Sequence, residues 1–234
     1  FFELLLGEVE MDFKWKHTER MIIIMAVRWY LAYSLSYRQV KELLAERGIY
    51  VDHTTIHRWV VEYSPKLLKK FHKCKKKIHK SWRMDETYVK VKGKWHYLYR
   101  AVDKLGQTID IYLSKRRDAA SAKLFFQKAF RSSGVPEKVN IDKSGSNTAA
   151  LKAMNEGFNS KDKILIRQNK YLNNLVEQDH RFIKKIVKPM LGFYSLKSAR
   201  ATLCGIEVHH MLRKGQYKFK SHLPIWEQFS SLAG

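Results

Sequence analysis

The sequence is poor in cysteine. Cys74 and Cys204 are the only two in 234 residues, and they form no CxxC pair and no disulfide framework. Such a chain fits a reducing compartment. Each cysteine has histidines nearby in sequence: His72 and His79 around Cys74, His209 and His210 after Cys204. Neither group has the spacing of a four-ligand zinc site, so no structural zinc is expected. Long apolar runs are missing too. The longest, Met21 to Val27, is closed by Arg28, far short of the ~20 residues that cross a bilayer. Phe1–Glu10 is greasy but acidic and lacks the positive start of a secretion signal. Met11 reads as the natural start, so residues 1–10 are taken as an extension without a role. Acid is the scarcest charge: 22 Asp+Glu stand against 45 Lys+Arg, a formal net charge of +23. A chain this basic is expected to meet a polyanion, with nucleic acid foremost. The basic residues are spread along the whole chain, which argues against a membrane surface as the partner.

What is present divides into two patterns. Residues 17–33 show a broad apolar face at helical spacing (Ile22, Ile23, Met25, Ala26, Trp29, Tyr30). A second helix is expected to open at Ser36, which has capping-box spacing to Gln39, and to end at Gly48. Asp52 is a candidate cap for a third. In it Ile56, Trp59, Val60 and Tyr63 form one stripe, and Ser64-Pro65 is expected to stop it. Helix, short turn with glycine, helix is a helix-turn-helix pattern over residues 11–65. Its second helix would enter the major groove of DNA. Off the apolar stripe lie His53, Thr54, Thr55, His57 and Arg58, hydrogen-bonding types suited to base edges and phosphates. Residues 66–80 carry eight lysines and read as a basic linker that tracks phosphates, although a charge run is more often just a solvated face.

From Ser81 the pattern changes. Trp82–Val91, Trp95–Asp103 and Thr108–Ser114 alternate like strands, with turn signals at Lys92-Gly93 and Lys104-Leu105-Gly106. A helix is expected over Ala119–Arg131, a strand over Lys138–Ile141, a helix over Thr148–Asn155 and a strand over Ile164–Arg167. A long helix should run from Asn173 to about Lys188, and a last one over Leu196–Lys214. This order predicts an α/β fold, the RNase H-like mixed sheet with helices on both faces, over 81–216. It would be preceded by the small all-α helix-turn-helix domain. Residues 217–234 are weakly patterned and are expected to be a loose tail.

Three acids stand out by position: Asp85 in the first strand, Asp142 at the end of the fourth, and Glu177 early in the long helix. In this fold strands one and four are neighbours and the helix packs beside them, so the three carboxylates can converge. Hard divalent ions such as Mg²⁺ take oxygen ligands, and two ions about 3.5–4 Å apart are suited to phosphoryl transfer. Each acid alone has a plainer reading as a turn, cap or solvent-facing residue. Asp103 and Asp110 compete with Asp85, and Asp179 competes with Glu177. Asp103 reads as a turn residue beside Gly106. Glu177, His180, Arg181 and Lys184 share one helix face, which would suit DNA.

The segments HTTIHRWV, RMDETYVKVKGKWHYLYRAVD, NIDKSGSNTAAL, KYLNNLVEQDHRFIKK and MLGFYSLKSARATLCGIE resemble the insertion sequence 6 family of bacterial transposases. The resemblance covers Met11 to about Gln216. Between Asp142 and Glu177 lie 34 residues, as in that family, and Lys184 stands where the family carries a basic residue thought to touch the transposon end. The resemblance implies Asp85, Asp142 and Glu177 as catalytic and metal-holding residues, with two Mg²⁺ ions, for which Mn²⁺ can substitute. It also implies binding of terminal inverted repeats and target DNA, metal-dependent cleavage, and strand transfer by replicative or cointegrate movement. His53, Thr54, Thr55, His57, Arg58, His180, Arg181 and Lys184 would contact double-stranded DNA. A homodimer or higher homo-oligomer is expected, because two ends must be brought together, and the place of action would be the bacterial cytoplasm and nucleoid. The competing readings are a catalytically inactive DNA-binding remnant, a structure-specific nuclease without strand transfer, and a basic RNA-binding protein.

Overall fold

A computed structural model describes residues 11, 13, 18–143, 145–220 and 222–234, with residue 170 described by its backbone. The expected role-free extension at residues 1–10 lies outside the described residues. In chain order the elements are α1 (Arg20–Ala32), α2 (Tyr37–Ala45), α3 (His53–Cys74), β1 (Ser81–Val91), β2 (Lys94–Asp103), β3 (Thr108–Ser114), α4 (Ala119–Ser133), β4 (Lys138–Ile141), α5 (Gly145–Asn155), β5 (Leu165–Gln168), α6 (Lys170–Val187), a 3-10 turn (Lys188–Met190), α7 (Leu196–Arg213) and α8 (Ile225–Ser231). Two compact units emerge. One combines the chain up to Lys75 with Lys197–Gly234, and the other is Lys76–Leu196. Among the described residues, no helix is long and apolar enough to cross a membrane.

The first unit is helical. Ser36 caps α2 as expected: the Gln39 amide donates to Ser36 Oγ at 3.2 Å and the Ser36 amide to Gln39 Oε1 at 2.7 Å. Gly48 takes φ +72° in the turn after α2, a conformation that only glycine adopts without cost. Asp52 caps α3, accepting from the Thr54 amide at 2.9 Å. The expected stop at Ser64-Pro65 does not occur, for α3 continues through Pro65 to Cys74. Proline inside a helix costs about 3 kcal/mol. Leu67, Leu68 and Phe71, beyond it, are buried on the continuing stripe, and each contributes ~1.5–3 kcal/mol on burial. Their sum outweighs the proline, so most of the expected linker is a helix with an apolar face and a lysine-rich one.

The chain after β5 and α6 also departs from expectation. α7 was expected to complete the sheet domain but groups with the helical unit. It is buried on nearly every side, including Ala199, Leu203, Ile206, Val208 and Met211, as befits a central helix. At Gly205 an added Cβ would collide with the Leu31 side chain and lie 2.7 Å from Ser64 Oγ, so the side chains of α1 and α3 pack directly on the bare backbone of α7 at this point. The expected loose tail is instead ordered around α8, with Phe229, Leu232 and Ala233 buried. A helix of seven residues is too short for its periodicity to be visible in sequence.

The second unit is a five-stranded sheet in the order β3-β2-β1-β4-β5. β1, β2 and β3 pair antiparallel, while β4 and β5 run parallel to β1. Successive side chains on a strand face opposite sides. Trp82, Met84, Tyr99, Ala101, Val139 and Ile141 form the core with Phe125, Phe126 and Ala129 of α4 and Leu151 of α5. Asp85, Arg100 and Asn140 face α6 on the other side. This is the RNase H-like arrangement, with helices on both faces.

Candidate active site

The site forms where β1 and β4 run side by side. Their pairing places Trp82 beside Val139 and Arg83 beside Asn140, which brings Asp142, just past β4, level with Asp85. Asp85, Glu86 and Asp142 each offer a carboxylate oxygen, and these atoms lie within 4.8 Å of one another. Asp85 comes from the α6 face of β1 and Glu86 from the opposite one. Burial pushes the Asp85 carboxyl up to about 7, with the charges of Glu86, Asp142 and Glu177 adding to the rise. Burial raises Glu86 as well.

Two further side chains hold the group together. Arg117, in the loop between β3 and α4, donates from Nη2 to Asp142 Oδ2 at 2.9 Å and to Glu86 Oε2 at 3.4 Å. Asn147, in the first turns of α5, donates from Nδ2 to Glu86 Oε1 at 3.0 Å and to Asp142 Oδ1 at 3.5 Å. Asn147 is fully buried, and among the described residues its Oδ1 has no partner. Three oxygen donors of one sign, two of them desolvated, together with a buried amide oxygen left over, form a set suited to a hard divalent cation.

α6 brings the remaining expected residues. It is fixed to the sheet by a buried ion pair. Arg100 Nε and Nη2 both donate to Asp179 Oδ2, at 2.9 and 2.6 Å, and Arg100 Nη2 also donates to Thr108 Oγ1 at 3.0 Å. Near the helix start, Asn140 Nδ2 donates to Asn173 Oδ1 at 2.6 Å. Glu177 lies outside the tight group of three, exposed, but near enough to raise the Asp85 carboxyl. Of the four residues expected on a DNA-facing ridge, Glu177, Arg181 and Lys184 are exposed. His180 is not: it is 3 % exposed, and its Nδ1 stands 3.7 Å from Asp85 Oδ2. The ridge is therefore split, because His180 falls on the buried face of α6 with Asn173, Val176 and Ile183. The rival acids are structural. Asp103 accepts from the amides of His79, Leu105 and Gln107 in its turn, and Asp110 pairs with Lys128 and Ser132. In the helical unit Thr54 and Arg58 are exposed and His53, Thr55 and His57 half-buried. His53 pairs with Asp52 at 3.2 Å, the Thr54 hydroxyl serves the cap, and His57 sits edge-on to Tyr37.

A family profile described as a DDE domain matches residues 79–216. The transposase for the insertion sequence-like element IS431mec of Staphylococcus aureus (strain Mu50) is 45 % identical over 202 residues, 86 % of this chain and 88 % of its own. The chain belongs to the insertion sequence 6 family of DDE transposases. This transposase is also 44 % identical over 202 residues to the Staphylococcus aureus transposase for IS257 in transposon Tn4003, again covering 86 % and 88 % of the two chains. Among solved structures, the catalytic core of HTLV-2 integrase in complex with magnesium (dimeric form) is similar at 19 % identity and a TM-score of 0.43, covering 55 % of this chain and 85 % of that one.

Sequence reasoning missed Glu86, Arg117 and Asn147 in this transposase. Glu86 adjoins Asp85, but strand alternation argues that neighbours point apart. Only the proximity of the β4 end lets both reach one point. Arg117 is one of three consecutive basic residues and carries no periodic signal. Asn147 sits five residues after Asp142, and this spacing could have drawn attention to it.

Proposed function

We propose that this transposase binds the terminal inverted repeats of its insertion sequence and carries out metal-dependent DNA cleavage and strand transfer. The observation that carries this reading is the carboxylate group of Asp85, Glu86 and Asp142, the first two desolvated, with Glu177 beside it. Asp85, Asp142 and Glu177 would hold two Mg²⁺ ions, with Mn²⁺ as a substitute. When bound, such ions supply Lewis-acid activation of the nucleophile and stabilise the leaving oxygen. Arg117 neutralises Glu86 and Asp142 and must release them for a cation to enter. His180 and the Arg100–Asp179 pair orient Asp85 and α6, and Arg181 and Lys184 hold phosphates of the element's end.

Hydrolysis at that end forms a bond from phosphorus to water oxygen and breaks the bond to the 3′-oxygen, leaving a 3′-hydroxyl. That hydroxyl then attacks a phosphodiester of target DNA, forming one P–O bond as another breaks, so no covalent enzyme intermediate is required. The capped α2–turn–α3 pair supports recognition of the repeats through His53, Thr54, Thr55, His57 and Arg58, and joining two ends calls for a homodimer or higher homo-oligomer. A strand-transfer assay with labelled terminal-repeat DNA, Mg²⁺ and a target plasmid tests the reading. Wild type is expected to give joined products and Glu177→Gln none. If both proteins bind the DNA and neither cuts it, the chain is a DNA-binding remnant.

A further inference from the structure

In the β1–β2 hairpin Tyr88 stands opposite Tyr97, and Lys90 opposite Trp95. Residues two apart on a strand share a face, so Glu86, Tyr88 and Lys90 lie on the same side as Trp95, Tyr97 and Tyr99. At the Tyr99 end this side is covered. Towards the hairpin tip it opens, leaving Tyr88 53 % and Trp95 62 % exposed. The open rings touch: Trp95 meets Tyr88 edge-on with centroids 6.4 Å apart, and Tyr88 meets Tyr97 at 5.3 Å. The row ends at the acidic group, since Tyr88 is within electrostatic reach of Arg117, which bridges Glu86 and Asp142. Lys90, Lys92 and Lys94 are exposed around the tip, and no acidic residue occurs from Thr87 to Val102.

Uncovered aromatic rings framed by cations match one chemistry well. The flat faces of unpaired bases stack on such rings while the strand's phosphates meet the lysines. A second copy of this chain would bring its own excess of positive charge to the same lysines. We infer that the β1–β2 hairpin is a stacking platform for unpaired bases of the DNA strand that enters the acidic site, with Trp95 and Tyr88 as its contacts. The inference rests on the DNA-processing function proposed above and adds that part of the DNA is held single-stranded.

The test compares metal-free full-length wild type with Trp95→Ala, Tyr88→Ala and Trp95→Phe. Fluorescence anisotropy would measure binding to a single-stranded oligothymidine and to a blunt duplex. Each alanine variant is expected to bind the single strand about tenfold more weakly, to bind the duplex as wild type does, and to keep the wild-type circular dichroism. Trp95→Phe, which keeps a ring, is expected to retain most of the single-strand affinity. Equal loss on both probes, or no loss on either, overturns the platform. Unchanged single-strand binding with a shift in sedimentation would assign the rings to self-association instead. Failure of wild type to bind either probe would sink the DNA reading itself.

Discussion

Replacing Asp85 by asparagine should stabilise the metal-free protein at alkaline pH while abolishing its response to metal. The Asp85 side chain is 19 % exposed and its carboxyl is raised from 3.8 to about 7, first by burial and then by its acidic neighbours. A group whose folded-state pKa is raised favours the folded state below its unfolded pKa, and that advantage is lost as pH climbs through the folded value. The cost of ionising Asp85 therefore grows between about pH 4 and pH 7. The rise corresponds to an upper bound of about 4 kcal/mol, or roughly 8–16 °C in melting temperature for a chain of this size. The assay is thermal unfolding in chelator at pH 5 and pH 8, followed by titration with Mg²⁺. Asp85→Asn is expected to melt several degrees above wild type at pH 8, with a smaller gap at pH 5, where the wild-type carboxyl is protonated. Mg²⁺ should raise the wild type at pH 8 and leave the variant unmoved. A variant no more stable than wild type at pH 8, or equally stabilised at both pH values, would refute the burial-and-repulsion account.

Other expectations follow from neighbouring contacts. Arg117→Ala removes the cation that bridges Glu86 and Asp142, so Mn²⁺ affinity measured by calorimetry should rise, by roughly tenfold for loss of one charge-assisted contact; weaker binding would show that Arg117 organises the site rather than competing for it. Asp179→Ala leaves the fully buried Arg100 guanidinium without its carboxylate and should cost about 3–5 kcal/mol, read in urea unfolding, with strand transfer lost as α6 loosens; a change below 1 kcal/mol would demote the pair to a surface-like contact. Gly205→Ala drives a methyl group into Leu31 and Ser64 and should destabilise by about 1–3 kcal/mol. Wild-type melting in that variant would mean the helices separate easily at this point.

Much of this architecture is written in local signals. The Ser36–Gln39 box, the Asp52 cap and the alternation of β1 to β3 depend on residues a few positions apart, so their physics is visible in sequence, and Asp85 could be placed within a strand and Asp142 just past one because alternation and turns are locally marked. Other features depend on what meets across space. Pro65 reads as a stop until the burial of Leu67, Leu68 and Phe71 is set against it. α7 shows no one-sided stripe because it is surrounded, so its partnership with α1 and α3 has no local trace beyond Gly205. His180 lies on the same sequence ridge as Glu177 and Lys184, yet it falls on the face of α6 that packs on the sheet beside Asp85, a helix tied there by the Arg100–Asp179 pair, which joins residues 79 positions apart. Glu86, Arg117 and Asn147 come from a strand, a loop and a helix, and only the parallel seating of β4 against β1 brings them to the same carboxylates. Sequence by itself determined most of the elements, because capping and periodicity act over a few residues. Tertiary structure alone decided which charges share the site, because desolvation and repulsion depend on distance in space.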